Sequence, residues 1–345
     1  MMSFPDFQYK QVIVHVAGGS GERLRFLADN VVIEDKDKKC ILRHSCHRIF
    51  ALFIIGEVTV TSVLIKQAKR FDFPIILMSG NFRVIARLNN GAEGNTLLRE
   101  KQYELSGRTM PIARELIAQK IANQMALIKA LRYQTAEDKA CLEFLKSRSV
   151  NDARDVHELM GVEGAASKSF FTCYFRNIGW TRREPRCKRD VPNLLLDIGY
   201  TYLFNFIEGM LCLYGFDLYC GVHHTLFYHR KSLVCDIIEP FRCIIDRRIR
   251  KAFSLKQINE KDFECRDGMW ILPWKNQKKY IKMFFKDILS YKDDIFLFCR
   301  EYYRWIMREK SIESFPIFDI RGNINVSITS RIFRTFFWGS PGQVL

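Results

Sequence analysis

The stretch LNNGAEGNT, residues 88–96, separates two kinds of sequence. It concentrates glycine and asparagine, which favour turns, within a few residues. Short β-branched and aromatic runs precede it, whereas the residues after it repeat apolar side chains at helical spacing. We therefore predict an α+β protein, with a small N-terminal β-rich domain over residues 1–90 and a larger all-α domain over residues 91–315.

Most of the elements predicted for residues 1–90 are strands. The helix predicted among them is TSVLIKQAKRFD, residues 61–72, where Val63, Leu64, Gln67 and Ala68 recur at helical spacing. The strand segments are bounded by Gly, Asn, Asp and Lys clusters and are QVIVHV, NVVIED, KKCILR, RIFALFIIGEVTVTSVLI, FPIILMSG and FRVIARL.

Helical periodicity dominates the second part. In PIARELIAQKIANQMALIKALRYQ, residues 111–134, six apolar side chains form one stripe, for which we predict core packing: Ile112, Leu116, Ile117, Ile121, Met125 and Ile128. The periodicity is lost near residue 315, so residues 316–345 are expected to form an extended C-terminal extension whose role the sequence does not give.

Composition narrows the choice of partner and compartment. The 345 residues include 54 Lys and Arg against 38 Asp and Glu, a formal charge of +16, which favours a polyanion such as nucleic acid or an acidic membrane surface. A basic protein without such a partner stays possible on charge alone. The eleven cysteines include no C-x-x-C pair, which indicates reduced thiols in a cytoplasmic protein rather than disulfides or a zinc knuckle.

One apolar segment is long enough to cross a membrane. Residues 194–216 contain Asp197, Asn205 and Glu208, polar groups that are expensive in a hydrocarbon core. A buried helix in a globular domain is therefore favoured, and the N-terminus carries no recognisable export signal.

Carboxylates and histidines gather in GVHHTLFYHRKSLVCDIIEPFR, residues 221–242. Asp236 and Glu239 are three residues apart, so a helix would present both on one face, with Pro240 stopping it soon afterwards. Such a pair suits Mg²⁺ or Mn²⁺, and a histidine from the preceding loop could add a ligand. Taken alone, the pair is explained more simply by a solvated acidic helix face or by an arginine-paired structural site.

A second acidic candidate is Glu163, in ELMGVEGAASKSFF, residues 158–171. Because Gly161 and Gly164 flank it, a backbone or a substrate could approach it closely before the helix continues. The alternative is an ordinary helix start, where an acidic side chain complements the helix dipole.

Basic side chains are concentrated in WTRREPRCKRDVPN, residues 180–193, and again in DRRIRK, residues 246–251. Arginine forks on an irregular loop suit phosphates, although a merely solvated surface is the simpler alternative. The predicted DNA-binding residues are Arg182, Arg183, Arg186, Lys188, Arg189, Arg247, Arg248 and Arg250.

The order of these motifs is similar to that of a known family. GVEG, the arginine-rich loop leading to DVPNLLLDIGYTYL, then G-x-x-H, then S-L-x-x-D-x-x-E-P-F-R with a following Asp246 closely resemble the CRISPR-associated integrase family Cas1. The resemblance is strong over about residues 150–250, and IIGEVTVTSVLI resembles part of the family's N-terminal β-domain.

The resemblance implies particular site residues. Glu163, His224 and Asp236 take the positions of the family's metal ligands, which are also catalytic, and Glu239 that of a supporting catalytic residue. His224 stands last in Gly221–His224 and twelve residues before Asp236, which fits the family register. His223 and His229 are then expected to be neighbours or DNA contacts.

The resemblance also implies an activity. It is a Mg²⁺- or Mn²⁺-dependent integration of prespacer DNA, in which a 3′-hydroxyl attacks a phosphodiester at the border of a CRISPR repeat. Implied partners are double-stranded DNA, a second copy of the chain and a Cas2 dimer. The alternatives are a nuclease of branched or single-stranded DNA and a non-catalytic DNA-binding scaffold.

Overall fold

A computed structural model describes residues 2–18, 21–80, 83–88, 94–105, 109–224 and 228–321. Its N-terminal part is rich in strands, as predicted, and the predicted helix at residues 61–72 is present. The strand β2 and the first helix were not predicted. The elements are α1 (Phe4–Tyr9), β1 (Gln11–Val16), β2 (Arg23–Leu27), β3 (Asn30–Glu34), β4 (Cys40–Ser45), β5 (Ile49–Ile55), β6 (Thr59–Val60), α2 (Ser62–Arg70), β7 (Ile75–Met78) and β8 (Val84–Leu88).

These strands form two four-stranded sheets. The first has the order β1-β5-β7-β8, in which β1, β5 and β7 are parallel and β8 is antiparallel to β7. The second has the order β4-β3-β2-β6, antiparallel except for the short β2–β6 pair. The chain therefore leaves the first sheet after β1, builds most of the second, and returns to the first through β5.

Strand β5 is apolar throughout because both of its faces are covered. Ile49, Leu52 and Ile54 pack into a core shared with the second sheet and α2. Phe53 and Ile55 point to the other face and pack with the helices. A strand that is buried on both faces needs a continuous apolar run, and all seven residues of β5 are buried.

The second part is built from nine helices among the described residues. The short hairpin of β9 (Glu264–Arg266) and β10 (Met269–Ile271) interrupts them, so this part is predominantly rather than entirely helical. The helices are α3 (Thr96–Glu104), α4 (Thr109–Lys129), α5 (Ala136–Lys146), α6 (Val156–Tyr174), α7 (Val191–Cys212), α8 (Ser232–Ile237), α9 (Arg242–Ser254), α10 (Trp274–Ser290) and α11 (Lys292–Met307).

Helices α4 and α7 run through the core. All six residues of the predicted α4 stripe are buried, which confirms the prediction of core packing. Helix α7 contains most of the membrane candidate, and its buried Glu208 pairs with Arg87 at 2.9 Å and with Lys231 at 2.7 Å. In the described part of the chain, no helix is both long and apolar enough to cross a membrane.

The start of the C-terminal extension packs against the helical core. Gln119 of α4 donates to the carbonyl of Pro316 at 2.9 Å and accepts from the N–H of Phe318 at 3.1 Å. Asn123, one turn later, bonds in the same way to Phe318 and Ile320. These residues therefore belong structurally with α4, whereas residues 322–345 lie outside the described residues.

The predicted boundary near residue 90 falls among residues 89–93, which are also outside the described residues. Strand β8 ends at Leu88 and helix α3 begins at Thr96, on either side of it. The first sheet packs directly on the helices, so the division into two domains stays a prediction.

Candidate active site

Asp236 organises the loop that carries the first two histidines. Its side chain is fully buried in α8 and accepts the backbone N–H groups of Val222 at 2.5 Å, His223 at 3.2 Å and His224 at 2.9 Å. Gly221 precedes these donors, and a Cβ there would lie 2.6 Å from Oδ2 of Asp236. The glycine is therefore needed for close approach of the loop to the carboxylate.

His224 is oriented by the same carboxylate. Its Nδ1 lies 2.6 Å from Oδ1 of Asp236, which favours the tautomer with the proton on Nδ1. The lone pair then resides on Nε2, for which no hydrogen-bond partner is found among the described residues. A carboxylate that fixes an imidazole in this way is common behind metal-ligating histidines.

Glu163 lies in the interior of α6, which begins after the N-cap Asp155. A helix start at G-x-E-G is therefore wrong, because the helix continues through both glycines. Gly161 and Gly164 are exposed, and a Cβ added at either would meet no atom of a neighbouring element within 4 Å. Because residues one and two positions apart point to different sides of a helix, this open surface does not lie at the Glu163 carboxylate, and a close approach to Glu163 stays a prediction.

His223 connects Glu163 with the loop. Its Nε2 lies 3.4 Å from Oε2 of Glu163, and its ring centroid is 5.2 Å from that of His224. The ring is almost fully buried, and its Nδ1 has no hydrogen-bond partner in the described part of the chain. The sequence predicted that His223 is a neighbour of the ligands or a DNA contact. The structure places its ring between Glu163 and His224. The choice of His224 as the ligand stays a prediction.

Glu239 faces a different set of partners from Asp236. Helix α8 ends at Ile237, and Glu239 and Pro240 lie in a 3₁₀ turn that follows, so the two carboxylates are not part of one continuous α-helix as expected. Glu239 instead accepts from Nζ of Lys120 at 2.7 Å and from Nε of Arg242 at 2.9 Å. Glu239 is thus paired with two cations, whereas Asp236 is bonded to the loop.

Lys120 is the site residue that sequence reasoning missed. Its ammonium contacts Oε1 of Glu163 as well as Oε2 of Glu239 from the middle of α4. Burial alone would raise the pKa of both carboxyls, but their partners outweigh it and hold each pKa below its ordinary value. The partners are the Lys120 ammonium and a hydrogen bond with His223 for Glu163, and the Arg242 guanidinium and the Lys120 ammonium for Glu239. The available signal was a lysine between the apolar residues Ile117 and Ile121 in the middle of a helix predicted to pack in the core.

The arginine-rich loop reaches the site through one of its members. Arg183 bonds to Asp197 at 2.6 Å, and its guanidinium lies 5.7 Å from the ring of Tyr200. Arg242, the partner of Glu239, lies 4.7 Å from the same ring. Lys188 is partly buried, and three residues that we call the exposed loop arginines face outward: Arg182, Arg186 and Arg189.

The basic residues of α9 are mostly engaged within the protein. Arg248 is buried and bonds to Gln257 and Asp287, so the structure does not favour it as a DNA contact. Arg250 donates to the carbonyl of Tyr174, and Arg247 lies 5.2 Å from the ring of Tyr291. His229, in the loop before α8, is exposed and packs on Tyr228.

The donors fit a divalent cation in their chemistry. Two carboxylates and an oriented imidazole suit Mg²⁺ or Mn²⁺, and these would be Glu163, Asp236 and His224. Within the described ranges, no three such side chains converge closely enough to hold an ion as they stand. Glu163 would have to exchange its bond to Lys120 for the ion, and Asp236 would have to release one of the donors that now occupy both of its oxygens.

The α+β fold is shared with solved structures. A casposase bound to integration product aligns with a TM-score of 0.75 and 18% identity over 93% of this chain and 98% of its own. A chain of a Cas6-RT-Cas1–Cas2 complex aligns with a TM-score of 0.77 and 18% identity over 90% of this chain, which spans 36% of that longer one.

Sequence comparison then gives the family. The profile of the family described as CRISPR associated protein Cas1 matches residues 16–286, so this chain belongs to the Cas1 family. A CRISPR-associated endonuclease Cas1 of Thermodesulfovibrio yellowstonii is 30% identical over 227 residues, which cover 61% of this chain and 70% of the relative. The resemblance found in the motifs is thereby confirmed.

Proposed function

We propose that this protein is a metal-dependent DNA integrase of CRISPR adaptation. In the reaction, the 3′-hydroxyl of a prespacer strand attacks a phosphodiester at the border of a CRISPR repeat. A new P–O bond forms and the original P–O3′ bond breaks, so one phosphodiester replaces another and no nucleotide cofactor is consumed. The proton lost by the attacking hydroxyl balances the one gained by the departing 3′ oxygen.

One observation carries this proposal. A continuous set of contacts runs from Glu163 through His223 and His224 to Asp236, although 60 residues separate Glu163 from His223. Three separate segments thus bring two carboxylates and two imidazoles together. Membership of the Cas1 family and the fold shared with a casposase support the same activity.

The side chains divide the work. Asp236 fixes the loop and holds His224 with Nε2 available, while Glu163 offers its carboxylate from the opposite helix. When bound there, Mg²⁺ or Mn²⁺ would stabilise the negative charge that develops on the phosphoryl group. Arg242 and Lys120 pair with Glu239 and so keep this supporting carboxylate ionised.

A branched DNA tests the chemistry without knowledge of the repeat sequence. The branch itself marks the phosphodiester to be attacked, and a labelled strand ending in a 3′-hydroxyl at the branch supplies the nucleophile. The purified protein is incubated with Mg²⁺, Mn²⁺ or a chelator, and joined and cleaved strands are separated on a denaturing gel. Asp236→Ala is compared with Asp155→Asn, a change at the N-cap of the helix that carries Glu163.

We expect metal-dependent joining that Asp236→Ala abolishes and Asp155→Asn preserves. Cleavage without joining would replace the integrase with a nuclease of branched DNA. Binding of the DNA with neither reaction, in either metal, would favour the non-catalytic scaffold.

We also infer that the protein works as a homodimer and with a Cas2 dimer. Integration at both ends of a prespacer needs two active sites, and the fold is shared with a chain of a complex that contains Cas2. The mass of the purified protein, measured by light scattering during gel filtration, is expected to be twice that of the 40.7 kDa chain. A mass of one chain at all accessible concentrations would contradict the dimer.

A further inference from the structure

Lys120 occupies an unusual position for a lysine. Its side chain is only 9% exposed, in a helix that is buried nearly all round, and its ammonium bridges Glu163 and Glu239. Lysine is seldom buried unless it is paired, because the charged form loses its hydration. The nearby Gln119 and Asn123 of the same helix bond to the C-terminal segment, so the backbone around Lys120 is held in place by these contacts.

The net charge of the groups around Lys120 depends on whether a divalent cation is bound. Counting only the groups in the contacts described above, the three carboxylates of Glu163, Asp236 and Glu239 and the two cations Lys120 and Arg242 give a net charge of one negative unit. A divalent cation would make this set positive by one unit, which complements the single negative charge of a phosphodiester. Without Lys120 the same loaded site would be neutral.

Lys120 also competes directly for a predicted ligand. Its Nζ contacts Oε1 of Glu163, the carboxylate that an ion would need. Two cations in contact with one carboxylate repel each other, and in a buried site this repulsion is weakly screened. The lysine must therefore weaken cation binding while it favours the phosphate that binds afterwards.

We propose that Lys120 is a positioning residue that sets the charge of the metal centre. It holds Glu163 beside Glu239 until a divalent cation takes Glu163, then stays on Glu239 and keeps the loaded site attractive to a phosphodiester. The proposal rests on the function proposed above, in which Glu163 and the His224 that Asp236 orients take part in binding the ion. If Lys120 were only part of a structural ion pair, it would favour cation binding and phosphodiester binding alike, and its loss would weaken both.

Three variants separate these possibilities. Lys120→Gln removes the charge and keeps hydrogen-bond donors near both carboxylates, and Lys120→Arg keeps the charge. Lys129→Gln is the matched control, because Lys129 is an exposed lysine at the end of the same helix. Mn²⁺ affinity is measured by electron paramagnetic resonance of the free ion, thermal unfolding with and without Mn²⁺, and strand joining on the branched DNA.

We expect opposite effects from Lys120→Gln. Its dissociation constant for Mn²⁺ should fall at least about tenfold, because a like charge at contact distance is removed from a poorly screened site. Mn²⁺ should then raise its unfolding temperature more than it raises that of the wild type. At saturating Mn²⁺, the KM for the branched DNA should rise at least about tenfold, since the loaded site has lost its net positive charge. Lys120→Arg should restore the KM, and Lys129→Gln should match the wild type.

Weaker or unchanged Mn²⁺ binding by Lys120→Gln would overturn the proposal and leave the integrase intact. Absence of Mn²⁺ binding by the wild type, matched by Asp236→Ala, would instead overturn the proposed metal-dependent function itself. If Lys120→Gln does not fold, Lys120→Gln combined with Glu239→Gln removes one charge of each sign and still frees Glu163. Its Mn²⁺ affinity should exceed that of the wild type, and an equal or lower affinity would overturn the proposal.

Discussion

Replacement of Asp236 by asparagine should separate the two tasks of this carboxylate. The carboxylate accepts four hydrogen bonds, from three backbone N–H groups and from Nδ1 of His224. Asparagine has one acceptor oxygen and one NH₂ donor, so it cannot satisfy all four donors. The better of its two orientations places the NH₂ at Oδ1, which preserves the bonds from Val222 and His223.

The magnitude follows from that orientation. The backbone N–H of His224 loses a charge-assisted bond, at roughly 1.5–3 kcal/mol, so Asp236→Asn should lower the free energy of unfolding by about 2–3 kcal/mol. Nδ1 of His224 would now face a donor and would have to accept, which moves its proton to Nε2. The metal-binding lone pair is thereby lost, and strand joining should fall by roughly 10- to 100-fold or more.

Urea unfolding and strand joining on branched DNA measure the two effects. Asp155→Asn is the control, because asparagine caps a helix as well as aspartate does, and its stability and activity should be unchanged. Wild-type stability of Asp236→Asn would show that Asp236 does not hold the loop. Wild-type joining would show that the tautomer of His224 is irrelevant to the reaction.

Three further outcomes are expected. Gly221→Ala should disrupt the loop and abolish joining, since its Cβ would lie 2.6 Å from the carboxylate of Asp236. In the control Gly209→Ala, the Cβ would lie 3.7 Å or more from atoms outside its own helix, so this variant should keep activity and be more stable by about 0.5–1 kcal/mol. Equal unfolding temperatures of the two variants would refute the steric argument. Burial would raise the pKa of Asp138, but its bonds to Cys173, Thr135 and Arg176 lower that pKa below its ordinary value, so its stabilising effect is present above about pH 4 and lost on further acidification. The stability difference between wild type and Asp138→Asn in urea should therefore shrink from pH 7 to pH 3, and a constant difference would contradict it. Replacement of the exposed loop arginines by glutamine should weaken DNA binding, measured by fluorescence anisotropy, and make it less dependent on salt. The slope of log affinity against log salt concentration should fall by about one unit for each phosphate that the protein no longer binds. An unchanged slope would mean that this loop does not contact the phosphate backbone of DNA.

Local pattern was sufficient for much of the fold. The alternation and β-branching before residue 88 and the helical repeat of α4 survive in the structure, because each pattern matches the face that its element buries. The order of motifs was sufficient for the family as well. Strand β2 was not predicted because its sequence RLRFL is short and carries two arginines. Pairing with β3, which the local sequence does not show, stabilises this strand.

The sequence by itself determined the class of the protein and the acidic and histidine residues from which a metal centre could be built. It could not determine which partners these side chains meet, because that depends on contacts between segments far apart in the chain. Tertiary structure alone places Lys120 between Glu163 and Glu239, and sets His223 against Glu163 and His224 against Asp236. The sequence gives the charge of each side chain. The strength of the electrostatic interaction between two charges depends on the distance between them, and folding sets that distance.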